Sequence, residues 1–198
     1  MNTQSDIAAL IGSRICHDLI SPLGAIGNGV ELLGLSGTVD GPEMALISES
    51  VASANARIRF FRIAFGAAKP GARIDRDEIT RILQDMGAAG RIEYHWQSDS
   101  DLPRQQVKLA FLLLQCLESA LPFGGRITVT SDPKGWQMTC QADKLNIDHQ
   151  KWEILVSPDY PAGISPSDVH FLLVPDAAKQ AGRSLKTTLQ ENSITLTF

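Results

Sequence analysis

The sequence predicts an α+β protein in two parts: an N-terminal antiparallel helical hairpin over residues 1–68 and an α/β sandwich over residues 69–198. Three observations lead to this fold class. Apolar residues recur at helical spacing in the first part, and helical and strand-like patterns are mixed in the second. Between them, residues 66–72 are rich in Gly, Ala and Pro, a composition typical of linkers.

The hairpin is predicted from two apolar stripes. Their members are Cys16, Leu19, Leu23, Ile26, Val30 and Leu33 in the first helix, and Met44, Ile47, Val51, Ala54, Ile58, Phe61 and Phe65 in the second. Spacings of three and four residues are typical of helices that pack nearly parallel in bundles. Glycine in the connecting residues 34–41 allows the chain to reverse, and Pro42 suits the first turn of the second helix.

A helical hairpin alone leaves much of each stripe in water. Two hairpins from two chains would bury both stripes in a four-helix bundle, so the pattern predicts a homodimer. The alternative is that the second half of the same chain covers the hairpin.

The second part is predicted to contain both helices and strands. The pattern of apolar residues indicates helices at 77–86, 107–121 and about 166–182, and strands at 92–96, 126–131, 136–141, 184–189 and 193–198.

Composition limits the class of protein. The chain has 198 residues, of which 43% are hydrophobic and 20% charged, and its net charge is −4 without any Lys/Arg cluster, so nucleic acid and anionic membranes are not expected partners. We find neither a signal-peptide pattern nor an apolar run of the roughly 18–20 residues that spans a bilayer, and we expect a cytoplasmic protein. Cys16, Cys116 and Cys140 lack a CxxC spacing and are interpreted as reduced core residues, with a zinc site as the alternative.

His17 is the candidate reactive residue. At about 100° per residue it lies about 140° from the centre of the first stripe, so its ring is predicted to point into solvent. Its neighbours on that face are mostly small: Leu10, Ser13, Arg14, Ser21, Gly24 and Asn28. Pro22 is expected to kink the helix, and Gly24, Gly27 and Gly29 each disfavour it by roughly 1 kcal/mol, so function or close packing must justify them.

An exposed imidazole is a competent nucleophile near neutral pH. Phosphoryl transfer to nitrogen needs mainly positioning and charge neutralisation, and a partner protein could supply both. Asp18 could orient the ring or accept its proton, or it could be a plain solvated carboxylate. His17 could equally be a surface histidine without a role.

The residues around His17 resemble a known motif. The stretch His17–Pro22 (HDLISP) looks like the phosphoacceptor box of histidine kinases, and the longer stretch Arg14–Ile26 closely resembles the ChpT family of histidine phosphotransferases of alphaproteobacteria. The resemblance implies a homodimer whose four-helix bundle carries the histidines. It also implies a second domain shaped like the ATPase (Bergerat) domain of histidine kinases that has lost nucleotide binding.

The sequence agrees with a degenerate nucleotide site. Ser119, just before Ala120, stands where the ATPases of this fold have an asparagine that holds magnesium, and residues 141–148 contain no glycine where Asp-x-Gly-x-Gly is expected. A glycine-rich lid is missing as well, since residues 169–175 contain no glycine. We therefore expect no cofactor in this chain, with Mg²⁺ bound only by the partner's receiver domain.

Three functions remain open. In the preferred one, His17 and Asp18 relay a phosphoryl group between receiver aspartates of partner proteins, without ATP. The resemblance suggests a CckA-like hybrid histidine kinase as donor and regulators such as CtrA or CpdR as acceptors, docking on a face framed by Leu10, Ser13, Arg14, Ser21, Pro22, Gly24 and Asn28. The alternatives are an ATP-dependent histidine kinase core and a non-catalytic dimeric adaptor that binds a response regulator.

Overall fold

The computed structural model describes residues 4–36, 41–88, 90–99, 101–132, 135–156 and 164–198. For residues 4–10, 12, 13, 16, 20 and 36 it describes the backbone alone. The predicted turn falls partly on residues 37–40, which lie outside the described part of the chain, as do residues 133 and 134 at the tip of the predicted β-hairpin.

Two long helices form the predicted hairpin. Helix α1 spans Gln4–Ser36 and runs through Pro22 without interruption, and α2 spans Pro42–Ala64 with Pro42 in its first turn. The two helices pack most closely at Gly29, which is buried. A Cβ atom there would lie 2.4 Å from Cγ1 of Ile47 and 3.3 Å from the carbonyl oxygen of Glu43. Close packing therefore accounts for one of the glycines that disfavour this helix.

The second part is an α/β unit that confirms the predicted α+β class. Its elements are β1 (Arg73–Asp75), α3 (Arg76–Ala88), β2 (Ile92–Gln97), β3 (Asp101–Pro103), α4 (Arg104–Ser119), β4 (Gly125–Asp132), β5 (Gly135–Gln141), α5 (His149–Ile154), a 3₁₀ turn (Pro166–Asp168), α6 (Val169–Gln180), β6 (Lys186–Leu189) and β7 (Ser193–Thr197). Sequence reasoning had missed β1, β3 and α5.

The main sheet has five strands in the order β2-β4-β5-β7-β6. Strands β2 and β4 are parallel, and the remaining pairs are antiparallel. Alternate residues of the central strands are buried on one face, including Ile127, Met138 and Ile194. They join a core with α3, α4 and α6, in which α4 is buried throughout its middle turns. A separate two-stranded sheet pairs β1 with β3.

The end of α2 belongs to this same core. Phe60 is fully buried, and its ring centroid lies 4.8 Å from that of Phe111 in α4. Ile63 and Ala64 are buried beside it. The alternative in which the second half covers the hairpin is therefore correct for the last turns of α2, whereas large apolar residues nearer the turn are exposed on the same stripes.

Among the described residues, no helix has both the length and the apolar character needed to cross a bilayer.

Candidate phosphoacceptor site

His17 lies midway along α1 on the side facing solvent. Its side chain is 78% exposed, which confirms the orientation predicted from the helical period. Exposure of this degree leaves the ring open to a reactive group on another protein.

The carboxylate of Asp18 contacts Nδ1 of the His17 ring. Oδ1 of Asp18 lies 3.1 Å from Nδ1 of His17, and the Asp18 side chain is only 11% exposed. An ionised carboxylate can only accept hydrogen bonds, so Nδ1 carries the hydrogen in this arrangement. The other ring nitrogen, Nε2, then keeps its lone pair and is the nucleophilic atom.

Arg14 is tied to the site instead of lying open on the His17 face. Its Nε donates a hydrogen bond of 2.8 Å to Oδ2 of Asp18, and its Nη1 donates to the carbonyl oxygen of Ser167 in the 3₁₀ turn before α6. The Arg14 side chain is only 15% exposed. Its guanidinium group therefore connects α1 to the α/β unit.

The rest of the predicted docking face is open and shallow. Ser21, Gly24 and Asn28 are exposed, and Pro22 is half-buried within the helix. A Cβ atom on Gly24 would meet no atom within 4 Å. The side chains of Leu10 and Ser13 lie outside the described part of the structure. Partner binding by this face remains a prediction.

Sequence reasoning missed a partly buried polar cluster between α2, β2 and α4. The hydroxyl of Tyr94 donates a hydrogen bond of 2.7 Å to Oε1 of Glu118, and Nη1 of Arg57 lies 3.8 Å from Oε2 of the same carboxyl group. Burial raises the pKa of Glu118, and the charge of Arg57 and the Tyr94 hydrogen bond oppose that rise. The cluster joins the hairpin to the sheet and to the central helix.

His170 is the second residue that sequence reasoning missed. It is fully buried in α6, and neither ring nitrogen has a hydrogen-bond partner among the described residues. Burial, together with the smaller effect of the nearby positive charges of Arg14 and Lys151, lowers the pKa of His170 to about 3. The ring is thus neutral. Nothing local in the sequence distinguishes this histidine from an exposed one.

Metal ligands are not clustered in the described part of the chain, where no three His, Cys, Asp or Glu residues could hold an ion together. Cys116 and Cys140 are free and buried, as predicted for core residues, and burial raises the pKa of Cys140 to about 12. The side chain of Cys16 lies outside the described residues.

The segment after β5 packs onto the central helix. The backbone N–H of Asn146 donates a hydrogen bond of 3.0 Å to the carbonyl oxygen of Ala120, just after α4. In α5, Trp152 is buried, and its ring meets that of Phe171 edge-on at 5.7 Å between centroids. Leu155 is buried beside this helix. The segment after β5 is thus joined to the end of α4 by a backbone hydrogen bond, and α5 packs its buried tryptophan against α6.

Known proteins resemble this chain over most of its length. Residues 76–193 match the family model of the histidine phosphotransferase C-terminal domain. The chain is 43% identical over 126 residues to the protein phosphotransferase ChpT of Brucella abortus (strain 2308), an alignment that spans 63% of this chain and 60% of that protein, less than two thirds of its length.

Solved structures extend the resemblance to the whole fold. A bacterial phosphotransferase superposes with a TM-score of 0.82 at 30% identity, covering 100% of this chain and 97% of the other. The histidine kinase domain of a blue-light-activated kinase from Erythrobacter litoralis gives a TM-score of 0.44 at 16% identity, covering 98% of this chain and 92% of the other, a likeness too distant to bear on function. Since the family model covers more than half of the sequence, the chain belongs to the histidine phosphotransferase family.

Proposed function

We propose that this protein is a phosphorelay phosphotransferase that carries a phosphoryl group on Nε2 of His17. The observation that carries the proposal is the contrast between two adjacent residues: the His17 side chain is 78% exposed, whereas Asp18, which accepts from its Nδ1, is only 11% exposed. An open ring held by a fixed carboxylate is suited to repeated attack by Nε2 on groups brought by other proteins.

The reaction is two successive transfers. Nε2 of His17 attacks the phosphorus of a receiver's aspartyl phosphate, the N–P bond forms, and the bond from phosphorus to the aspartate oxygen breaks to release the carboxylate. In the second transfer, the carboxylate of another receiver attacks the same phosphorus and the N–P bond breaks. Both steps pass through a loose transition state that depends on alignment and charge neutralisation.

Asp18 would favour both transfers electrostatically. When Nε2 bonds to phosphorus, the ring gains positive charge while its Nδ1–H still donates to the carboxylate of Asp18. The receiver would supply Mg²⁺ and the acidic pocket, so this chain would need no cofactor of its own.

In this proposal the protein does not bind ATP, because the positions that correspond to the nucleotide-binding motifs of the ATPases lack the expected residues. Ser119 stands at the position where the resemblance expects the asparagine that holds magnesium, and its hydroxyl donates a hydrogen bond of 2.7 Å to the carbonyl oxygen of Cys116. Beyond the segment that lacks the expected glycines, the buried rings of Trp152 in α5 and Phe171 in α6 pack edge-on at 5.7 Å between centroids.

We further propose a homodimer built on the hairpin. Leu23 and Val30 of the first stripe are each 58% exposed, and Val51 and Ile58 of the second are 41% and 50% exposed. Single exposed apolar residues are common, but a row at heptad spacing is typical of a bundle that lacks its other half. A second copy of the chain supplies matching stripes.

The family resemblance suggests the partners: the receiver of a CckA-like hybrid kinase as donor and CtrA- or CpdR-like regulators as acceptors. In this proposal the protein works in the cytoplasm, where the buried thiols of Cys116 and Cys140 stay reduced.

The decisive experiment omits ATP. A receiver domain, labelled on its aspartate by a small-molecule phosphodonor, is mixed with the protein, and we expect label that is stable in alkali and labile in acid. His17→Ala, at a largely exposed ring, should fold normally and acquire no label, while His149→Ala, also at an exposed histidine, should be labelled like the wild type. Label on the His17→Ala variant, or no label from any receiver of the host, would reject the proposal.

The ATP claim has a separate test. Titration with millimolar ATP and Mg²⁺ should give no saturable change in the tryptophan fluorescence of the protein. A saturable, magnesium-dependent signal would show that the site can open.

A further inference from the structure

We infer that Arg14 is a positioning residue, which sets the tautomer of His17 through Asp18 and links it to the α/β unit through Ser167. The inference rests on the proposed function, because it assigns a role within the same phosphotransfer. It differs from the sequence-based expectation, in which Arg14 contacts a partner.

The two oxygens of the Asp18 carboxylate accept hydrogen bonds from two different residues. Oδ1 accepts from Nδ1 of His17 at 3.1 Å, and Oδ2 accepts from Nε of Arg14 at 2.8 Å. Each oxygen therefore has its own donor. Rotation of the carboxylate away from His17 would break the charge-assisted bond to Arg14, so the guanidinium holds the oxygen that faces the ring.

Arg14 is itself held in place by a second contact. An exposed ion pair between residues four apart on a helix contributes little stability and is mobile. Arg14 is only 15% exposed, however, and its Nη1 donates to the carbonyl of Ser167. That turn is fixed in its own right, since Oγ of Ser165 accepts from the N–H of Ser167 at 3.1 Å. The guanidinium is thus held at two points on two parts of the protein.

Other charged groups lie near Arg14. Asp168, next to Ser167, pairs with Lys151 at 3.0 Å, and Glu118 is engaged by Tyr94 and Arg57. His170 is buried near Arg14 and neutral, so it does not repel the guanidinium. Within the described residues, Arg14 is therefore the cation in contact with Asp18, and no neighbour takes its place.

The consequence is a connection between the two parts of the chain. Ser167 precedes α6 of the α/β unit, whereas His17 and Asp18 lie on α1. A displacement of the 3₁₀ turn relative to α1 moves Arg14, and Asp18 then loses its orientation toward Nδ1. The ring would shift toward the tautomer with hydrogen on Nε2, whose lone pair is no longer available for attack.

The test compares Arg14→Gln with Arg62→Gln, which removes an exposed ion pair to Glu78 far along α2. Long-range ¹H–¹⁵N NMR of the unphosphorylated protein reports the His17 tautomer without any transfer. We expect the fraction with hydrogen on Nδ1 to fall at least twofold in Arg14→Gln, to fall less in Arg14→Lys, and to stay unchanged in Arg62→Gln. If Arg14→Gln does not fold, Arg14→Lys alone must show the decrease.

Kinetics provide the second readout. Single-turnover transfer from a labelled receiver should slow roughly tenfold in Arg14→Gln at saturation, with the half-saturating receiver concentration unchanged. An unchanged tautomer overturns the inference. So does an unchanged maximal rate with a raised half-saturating concentration, which would make Arg14 a docking residue. Labelling of His17→Ala would reject the proposed function instead, whatever the tautomer.

Discussion

The hydroxyl of Tyr94 donates a hydrogen bond of 2.7 Å to Glu118, a carboxyl group that is only 13% exposed. Burial raises the pKa of Glu118 above its ordinary 4.5, against the opposing effects of Arg57 and Tyr94. The folded protein therefore keeps this proton to higher pH than the unfolded chain. The stability that follows is complete below pH 4.5 and is lost as pH rises through the folded pKa, by about 1.4 kcal/mol for each pH unit between the two pKa values.

The variant Glu118→Gln should remove this dependence, because the amide oxygen still accepts from Tyr94 but does not titrate. Urea unfolding at a series of pH values from 4.5 to 8 should show the wild type losing stability relative to the variant as pH rises. Parallel curves for the two proteins would contradict the raised pKa.

His170 predicts the opposite pH dependence. Burial lowers its pKa from 6.5 to about 3, so the unfolded chain binds the proton more readily between these values. Stability should fall by about 1.4 kcal/mol per pH unit as pH drops below 6.5. His170→Leu should flatten this loss, and it should not destabilise at pH 7, since it removes two unpartnered buried nitrogens.

The measurement is unfolding by urea between pH 7 and pH 5. The exposed His149→Gln serves as control and should keep the wild-type slope. A wild-type slope in His170→Leu would show that other groups cause the acid sensitivity.

Features that depend on local geometry could be predicted from the sequence, whereas features that depend on tertiary contacts could not. Local patterns predicted the strands at 126–131 and 136–141, now β4 and β5, and the helical period predicted the exposure of His17, because both depend on local geometry alone. The burial of His170 depends on how α6 packs against its neighbours. The bond from Arg14 to Ser167 joins residues 153 positions apart, which no local period can reveal.

The short elements β1, β3 and α5 were not predicted from the sequence, for a related reason. Strands β1 and β3 have three residues each, too few for an alternating pattern, and they exist because they pair with each other. Helix α5 has six residues and is held by the burial of Trp152. In the last turns of α2, Phe60 and Ile63 lie outside the predicted stripe, and they are buried because Phe111 and its neighbours in the same chain cover them.

Gly29 should be required for the close packing of α1 and α2, whereas Gly24 should tolerate alanine. A Cβ atom at Gly29 would lie 2.4 Å from Cγ1 of Ile47, so Gly29→Ala must push the helices apart, at about 1–3 kcal/mol. Gly24→Ala meets no atom within 4 Å and should stabilise the helix by up to about 1 kcal/mol. Thermal unfolding at one fixed protein concentration distinguishes them. Equal effects of the two substitutions would contradict the close packing of α1 and α2.

Val30 should test the proposed dimer. Its side chain is 58% exposed on the first stripe, and Val30→Arg would place a charge inside the bundle core. Sedimentation at micromolar concentration should give a dimer for the wild type and a monomer for the variant. Leu35→Arg is the matched control, because Leu35 is 81% exposed and lies about 140° away around α1. A monomeric wild type would reject the dimer outright.

Asp18→Asn should impair phosphotransfer more than the small change in shape suggests. Nε of Arg14 donates at 2.8 Å to one side of the carboxylate, so an amide in its place turns its oxygen toward Arg14. The amide N–H₂ then faces Nδ1 of His17, which must become the acceptor, and the ring hydrogen moves to Nε2. The nucleophilic lone pair is lost, and we expect transfer to slow by roughly 100-fold or more.

Quench-flow measurement of label leaving a phosphorylated receiver gives this rate, with circular dichroism to check the fold. Asp176→Asn, at an exposed acid on α6, has the same change in charge and should transfer at the wild-type rate. A wild-type rate for Asp18→Asn would show that Asp18 has no role in phosphotransfer. The combination of a slow Asp18→Asn and a shifted His17 tautomer would instead tie the chemistry to the bond between Nδ1 and the carboxylate, because a purely structural role for Asp18 would change neither measurement in that direction.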